Sequence, residues 1–95
     1  MNIAIDLEGT ADSLPVETMA AIVKSLHDAG CRVFMVSSRS HNEKDIVSHF
    51  ADHIGIARGC VVCTRGTAKR WFCEQLGLKI DVWIDDDPGS IENGK

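Results

Sequence analysis

The sequence lacks several features that would point to particular classes of protein. No run of apolar residues approaches the roughly 18 residues that a membrane-spanning helix requires. Residues 1–6 have no basic region ahead of an apolar segment, so no secretory signal is expected. Basic residues are also scarce, with 10 Lys and Arg against 14 Asp and Glu and a net charge of −4. This balance argues against a nucleic-acid-binding protein, and we expect a cytoplasmic protein without a membrane partner.

The chain also lacks the length for more than one hydrophobic core. Its 95 residues fall just under the usual single-domain range, so residues 1–95 are predicted to form one domain. Apolar residues make up 44% of the sequence and charged residues 25%, which is the balance of a globular protein. This composition excludes an intrinsically disordered chain.

Four cysteines are present, and in a cytoplasmic protein they are expected to be reduced thiols. Cys31 and Cys73 lie in apolar surroundings and are predicted to be small core residues. Cys60 and Cys63 have the spacing of a Cys-x-x-Cys pair, which can bind zinc or cycle between dithiol and disulfide. Because zinc needs four ligands and the only later thiol is Cys73, structural thiols are favoured over a metal or redox site.

Four short apolar runs predict β-strands, at residues 3–7, 31–36, 60–63 and 79–84. The stretches between them have apolar residues at helical spacing. The first helix is predicted to run from Val16 to a stop at Gly30, the second to follow a cap at Asn42, and the third to follow a cap at Thr67. Residues 88–95 are predicted to be a short tail. The predicted buried faces consist of Met19, Ala20, Val23 and Leu26 in the first helix, Ile46, Val47, Phe50 and Ile54 in the second, and Trp71, Phe72 and Leu76 in the third.

This alternation of strands and helices is typical of parallel strands joined by right-handed crossovers. We therefore expect an α/β protein, a three-layer α/β/α sandwich with a mostly parallel, Rossmann-like sheet. Ligands of such sheets bind outside the carboxyl ends of the strands. Topology is expected to bring together at that edge the polar residues that follow three of the strands, which are Asp6 and Glu8, Ser37 and Arg39, and Asp85 and Asp86.

The acidic residues at this edge suit a hard cation. Mg²⁺ binds a few carboxylates and keeps positions open for phosphate oxygens, and the candidate ligands are Asp6, Glu8, Asp85 and Asp86. A carboxylate beside Mg²⁺ can attack a phosphoryl group and form an aspartyl-phosphate that water then hydrolyses. Asp6 is the natural nucleophile, and Glu8 is placed to protonate the leaving oxygen and then activate the water.

Four motifs resemble those of the haloacid dehalogenase-like (HAD) superfamily of phosphohydrolases, in the same order along the chain. Asp6-Leu7-Glu8-Gly9-Thr10 resembles the nucleophile motif Asp-x-Asp-Gly-Thr, and Val36-Ser37-Ser38-Arg39 resembles the second motif, a strand that ends in Ser or Thr. Lys69 matches the lysine motif, and Val82-Trp83-Ile84-Asp85-Asp86 matches the terminal acidic pair. Together the four motifs cover nearly the whole chain.

The resemblance implies an HAD-like core and a Mg²⁺-dependent phosphatase. It implies that Asp6 forms the phospho-intermediate, that Lys69 neutralises its charge, and that the backbone carbonyl of Glu8 and either member of the acidic pair complete the metal site. Ser37 would donate a hydrogen bond to the phosphoryl oxygens. Thr10, Ser38 and Arg39 are the candidate substrate-binding residues.

Three basic residues have alternative interpretations. Lys79 competes with Lys69 for the lysine role, but it begins a strand at the end opposite the crevice, so Lys69 is favoured. Arg39 and Arg65 follow strands and could bind substrate phosphate, yet each could equally be a solvated loop cation.

Two departures from the family pattern affect the expected activity. Glu8 stands where family phosphatases usually have Asp, and the extra methylene moves its carboxyl group by about 1.5 Å, enough to slow a positioned reaction. A slower or differently shaped phosphatase is favoured over an inactive one. Family members also generally continue into another strand after the acidic pair. The fourth strand is therefore expected to be an edge strand, which the tail or a second copy in a homodimer would cover.

No cap domain fits this chain, since only short segments separate Thr10 from Pro15 and Cys63 from Lys69. An uncapped site is open to large substrates, so the phosphorylated substrate is either a small phosphomonoester or a macromolecular phosphate. The alternative function is a catalytically weak or inactive HAD-fold module that binds or regulates.

Overall fold

A four-stranded β-sheet forms the centre of the computed structural model, which describes residues 1–94. Its strands are β1 (Asn2–Ile5), β2 (Arg32–Ser37), β3 (Val61–Cys63) and β4 (Val82–Ile84). They lie in the order β3-β2-β1-β4, and all three neighbouring pairs are parallel. The structure thus confirms the predicted α/β class with a parallel sheet.

Helices fill the connections between the strands. Helix α1 (Val16–Asp28) joins β1 to β2, α2 (Lys44–His53) joins β2 to β3, and α3 (Lys69–Gln75) joins β3 to β4. A short fourth helix, α4 (Gly89–Glu92), follows β4. Single turns of 3₁₀-helix lie at Ala11–Ser13, His41–Glu43 and Arg58–Cys60. Among residues 1–94, none of the helices combines the length and apolar character that crossing a membrane requires.

The helices lie on both faces of the sheet. On one face, Val23 of α1 and Val47 of α2 belong to the same buried core as Ile5 of β1. On the other face, Cys73 of α3 packs in a second core with Ala4 of β1. Because successive residues of a strand point to opposite faces, one apolar strand supplies both cores, and the chain forms the three layers expected.

The strand order reverses between β1 and β4. From β1 the chain moves outward through β2 to β3, and it then returns across the sheet to place β4 on the other side of β1. Doubly wound sheets open a crevice at such a point, outside the carboxyl ends of the strands. Asp6 follows β1 and Asp85 follows β4, so these two residues flank the crevice.

Three residues that were expected to face the core are instead exposed. Ile46 is 62% exposed, Trp71 56% and Leu76 60%. The buried stripes of the two helices include Val47 and Cys73. Adjacent residues of a helix point about 100° apart. Because only a narrow stripe through Val47 and Cys73 faces the sheet, the apolar side chains beside that stripe remain exposed to solvent.

The predicted helix caps are also wrong. Helix α2 begins at Lys44, after the 3₁₀-turn that contains Asn42, and no side chain caps its first turn. Helix α3 begins at Lys69, with Ala68 rather than Thr67 at the capping position.

Three strands are shorter than predicted. Strand β1 ends at Ile5 instead of residue 7, and β4 begins only at Val82. Strand β3 begins at Val61, because Cys60 belongs to the preceding 3₁₀-turn. The predicted order of the elements is nevertheless the observed one.

Residues 88–94 of the predicted tail fold back onto α3. Ile91 of α4 is buried, and Glu92 accepts a hydrogen bond from Nε of Arg70 at 2.7 Å. This segment thereby becomes part of the edge where the strands end. Lys95 lies outside the described residues.

Candidate active site

An open cavity of about 520 Å³ lies at the carboxyl ends of the strands, in the crevice between β1 and β4. Its walls come from the loops that follow the strands and from the first turn of α4. The ionisable side chains on which the site depends are those of Asp6, Glu8, Lys69, Asp85 and Asp86. Four of these five are acidic.

Lys69 joins two of the carboxylates. Its Nζ donates hydrogen bonds to Oδ1 of Asp6 at 2.8 Å and to Oδ2 of Asp85 at 2.6 Å. All three side chains are almost fully buried, with 1% of Lys69, 7% of Asp6 and 2% of Asp85 exposed. Residues from three distant segments of the chain are therefore in direct contact.

The regular elements set these positions. The backbone amide of Asp6 donates to the carbonyl of Ile84 at 2.9 Å, which extends the pairing of β1 with β4 by one residue. Lys69 is the first residue of α3, at the end of the helix that lies on the same edge of the sheet. Lys79 lies at the opposite edge, where its carbonyl accepts a hydrogen bond from a side chain at the start of β1.

Burial and charge shift the pKa values of this group. Burial raises the pKa of Asp6 from 3.8 to about 6; the ion pair with Lys69 opposes this rise, and the carboxylates of Asp85 and Asp86 add to it. Burial works to lower the pKa of Lys69, but its hydrogen bonds to Asp6 and Asp85 outweigh burial, so the pKa is raised and the ammonium stays charged. The site thus contains three carboxyl groups and a single ammonium group, that of Lys69, to neutralise them.

Asp86 is attached to the loop that follows Asp6. The hydroxyl of Thr10 donates to Oδ1 of Asp86 at 3.2 Å and accepts from the backbone amide of Asp86 at 3.1 Å. Gly9 has φ +73°, and a Cβ at this position would lie 2.3 Å from Oδ2 of Asp86. Only glycine both adopts a positive φ without strain and has no Cβ to clash with Asp86. Thr10, a predicted substrate contact, is therefore engaged in positioning Asp86.

Asp85 is also held by the segment after β4. Its Oδ1 accepts a hydrogen bond from the backbone amide of Asp87 at 3.0 Å, and the hydroxyl of Ser90 lies 3.4 Å from its Oδ2. Ser90 is absent from the predicted site because residues 88–95 are expected to be a tail. Pro88 was the available signal, since proline favours the first turn of a helix.

Glu8 is held by an arginine. Nε of Arg39 donates to Oε1 of Glu8, and Nη1 of Arg39 lies 3.6 Å from Oε2 of Glu43. The side chain of Glu8 is 44% exposed and lines the cavity. Arg39, a predicted substrate contact, therefore already pairs with two carboxylates.

The two serines that end β2 differ in position. Ser37 is fully buried, and its hydroxyl accepts a hydrogen bond from the backbone amide of Arg39 at 3.2 Å. Ser38 lines the cavity, and Ser37 does not. A bound phosphate would consequently meet Ser38 before it met the hydroxyl of Ser37.

Three carboxylates are grouped closely enough to share a metal ion. Asp6, Asp85 and Asp86 each present one oxygen, and these oxygens lie within 4.8 Å of one another. Oxygen donors suit Mg²⁺, and a cation would offset the negative charge of the three carboxylates, which the single ammonium of Lys69 neutralises only in part. The carboxylate of Glu8 is outside this group. Within residues 1–94, no backbone amide of a loop donates a hydrogen bond to the carbonyl oxygen of Glu8, so this oxygen could also bind a metal. The residues present therefore fit a hard divalent cation.

The cysteines lie apart from this site. All four are free thiols, with Cys63 and Cys73 buried and Cys31 and Cys60 half-buried. Burial raises the pKa of Cys63 and raises that of Cys73 to about 11. Such thiols are poor nucleophiles and poor metal ligands at neutral pH.

Comparisons with models of protein families, with curated proteins and with solved structures found no match to the chain. The function must therefore be argued from the geometry of the site.

Proposed function

We propose that the protein is a Mg²⁺-dependent phosphomonoester hydrolase with an HAD-like core, and that it works through an aspartyl-phosphate on Asp6. The observation that carries the proposal is the buried contact of Asp6, Lys69 and Asp85 at the point where the strand order reverses. The order of the four sequence motifs supports the same chemistry.

Asp6 is the nucleophile of the proposed reaction. One carboxylate oxygen accepts the hydrogen bond from Lys69, and the other would attack phosphorus. As the new oxygen–phosphorus bond forms, the bond from phosphorus to the ester oxygen breaks. Lys69 keeps its proton throughout and offsets the negative charge on the acyl phosphate. Bound Mg²⁺ would neutralise the phosphoryl oxygens and orient them for in-line attack.

Glu8 supplies and removes the protons. In the first step its carboxyl group protonates the leaving oxygen, and in the second its carboxylate takes a proton from the water that attacks phosphorus. Phosphate is then released and the Asp6 carboxylate restored. Glu8 lies at the cavity wall and is partly exposed, which gives it access to both the leaving group and water.

A second candidate function is a module that binds phosphate or phosphorylated ligands without hydrolysing them. The ion pair of Glu8 with Arg39 favours it, because an oxygen of the carboxylate that would have to carry the proton already accepts a hydrogen bond from the guanidinium. The binding residues would be those of the same site.

Release of inorganic phosphate from p-nitrophenyl phosphate and a panel of phosphomonoesters tests the proposal. We expect turnover by the wild type in Mg²⁺, loss of it in EDTA, and only background release by Asp6→Asn. Asp28→Asn is the matched control, since Asp28 is exposed on α1 and pairs with Lys24, away from the site. Glu8→Gln should lower turnover by about 10²–10⁴-fold.

Each outcome assigns one of the two functions. Equal background from the wild type and Asp6→Asn on every substrate rejects the hydrolase. If the wild type then still binds alkylphosphonates in Mg²⁺ and Asp6→Asn binds them more weakly, the binding module is the function. Turnover that survives Asp6→Asn would place the nucleophile elsewhere.

A further inference from the structure

Arg65 differs from the other arginines of the chain in having no partner for its side chain. Arg39, Arg58 and Arg70 form ion pairs, and Arg32 lies over the ring of Phe34. Within residues 1–94, the guanidinium of Arg65 makes neither an ion pair nor a side-chain hydrogen bond, and the side chain is exposed. Its five donors are therefore free to bind an anion.

The backbone holds Arg65 in an unfavourable conformation. Its φ is +57°, and among residues 1–94 it is the one residue other than glycine with a positive φ. The amide of Arg65 donates to the carbonyl of Arg39, and the amide of Gly66 donates to the carbonyl of Ser38, both at 3.0 Å. These bonds tie the loop after β3 to the loop after β2 and fix where the arginine side chain begins.

Arg65 borders a second depression, of about 320 Å³, next to the main cavity. The other lining residues are Ser40, His41 and Asn42. The hydroxyl of Ser40 donates to the side-chain oxygen of Asn42 and lies 3.3 Å from Oε1 of Glu43, and within residues 1–94 the NH₂ group of Asn42 makes no side-chain hydrogen bond. A guanidinium, an imidazole and an amide thus surround one depression.

The loops that follow β2 and β3 contribute residues to both depressions. Ser38 and Gly66 line the main cavity, and their close neighbours Ser40 and Arg65 line the second one. Asp6 follows β1, and Arg65 lies in the loop after β3, two strands away. Neighbouring strands are about 4.8 Å apart, so roughly 10 Å separates the two positions along the edge of the sheet.

We infer that Arg65, with His41 and Asn42, binds a second anionic group of the substrate. The preferred substrate is then an extended phosphomonoester that carries another phosphate or a carboxylate about 10 Å from the phosphoryl group at Asp6. The inference rests on the proposed function for the position of that phosphoryl group. Among the described residues that line the main cavity, the one basic side chain is Lys69, which already bridges Asp6 and Asp85.

Binding of non-hydrolysable phosphonates in Mg²⁺ tests the inference without requiring turnover. An ω-phosphonoalkanoate of suitable length and its carboxyl methyl ester form a matched pair that differs only in the second charge. By calorimetry we expect the wild type to bind the acid at least about tenfold more tightly than the ester, the range for a charge-assisted hydrogen bond. The corresponding alkane bisphosphonate shows whether a phosphate or a carboxylate is preferred.

Two variants remove the guanidinium in different ways. Arg65→Ala should abolish the preference for the acid, and so should Arg65→Gly, which tolerates the positive φ without strain and guards against misfolding of the loop. Arg58→Ala is the control, since Arg58 is an exposed arginine paired with Asp45. It should leave the preference unchanged.

The outcomes separate this inference from the proposed function. Equal binding of acid and ester by the wild type, no binding of either, or a preference that survives both Arg65 variants overturns the inference. If the preference depends on Arg65 but the wild type releases no phosphate from the matching phosphate esters, the anion subsite stands and the hydrolase fails.

Discussion

Asp6 illustrates a conflict between stability and chemistry at a single residue. Its pKa is raised from 3.8 to about 6, which means that the folded protein favours the protonated carboxyl group more than the unfolded chain does. A shift of this size corresponds to about 3 kcal/mol between the two protonation states. When no cation is bound, the Asp6 carboxylate that the proposed attack requires therefore lowers the stability of the folded protein.

The pH dependence of stability follows from the direction of that shift. Since the folded pKa exceeds the unfolded one, the folded state gains protons relative to the unfolded state between pH 3.8 and about 6, and stability falls as pH rises through that window. Asp6→Asn lacks the ionisation. In EDTA well above pH 6 we expect this variant to be more stable than the wild type by up to about 3 kcal/mol, measured by urea denaturation.

The same measurement below pH 3.8 provides the internal control, because both proteins are then neutral at this position. There the difference between them should vanish. Adding Mg²⁺ at the higher pH should stabilise the wild type more than Asp6→Asn. A variant that is less stable than the wild type throughout would show that Lys69 offsets the burial of Asp6 more fully than inferred.

Gly9 is the second residue at which the site constrains the chain. Gly9→Ala combines a positive φ, worth roughly 1 kcal/mol or more, with a contact that would push the Asp86 carboxylate away from Thr10. We expect a loss of stability together with weaker Mg²⁺ affinity, measured by calorimetry. Gly30→Ala is the matched control, because Gly30 has φ +85° with no atom within 4 Å of a built Cβ.

Gly30→Ala should therefore reproduce the loss of stability and leave Mg²⁺ affinity unchanged. An equal effect of both variants on Mg²⁺ affinity would contradict the role given to Asp86.

At the level of elements, α4 is the part of the site that the sequence pattern predicts least well. It has only four residues, a length at which apolar periodicity carries no information. Strand β2 is predicted nearly completely, because the run Val33 to Val36 is apolar on both faces. The faces of α2 and α3 are predicted only in part, since Ile46 and Trp71 are apolar yet exposed, and the sheet rather than helical spacing decides which side is buried.

Ile91 anchors α4 and offers a test of whether that helix supports the site. Ile91→Ala should cost about 2–4 kcal/mol if the surrounding structure cannot collapse and should loosen the contact of Ser90 with Asp85. Hydrogen exchange should then show faster exchange of the α4 amides. Glu92→Gln is the control, because its exposed pair with Arg70 is worth less than about 1 kcal/mol.

Faster exchange in α4 by the same factor as in the core strands would mean that the helix opens only when the whole domain unfolds. Faster exchange confined to α4, together with weaker Mg²⁺ binding, would show that α4 holds Asp85 in place.

On the scale of the whole molecule, topology accounts for the site better than any one motif does. The convergence of Asp6 and Asp85 was predictable because parallel strands end at one edge. The pairing of Glu8 with Arg39 was not, because it depends on which way two loops bend after their strands. The edge strand β4 leaves Val82 and Ile84 39% and 40% exposed, and the homodimer expected from that edge stays a prediction.

The two cores provide a test of whether the chain unfolds as one unit. Cys63 belongs to the core shared with α1 and α2, and Cys73 to the core beneath α3. Both thiols are buried with raised pKa values, so a thiol reagent should reach them only when the domain opens. Because the two cores share the strands, we expect Cys63 and Cys73 to be labelled at the same slow rate, with the same dependence on urea.

Mass spectrometry of the labelled peptides resolves each site, and the half-buried Cys31 and Cys60 should react much faster. Labelling of Cys73 well before Cys63 would instead mean that α3, which carries Lys69, detaches from the sheet by itself, and the site would then open without unfolding of the domain.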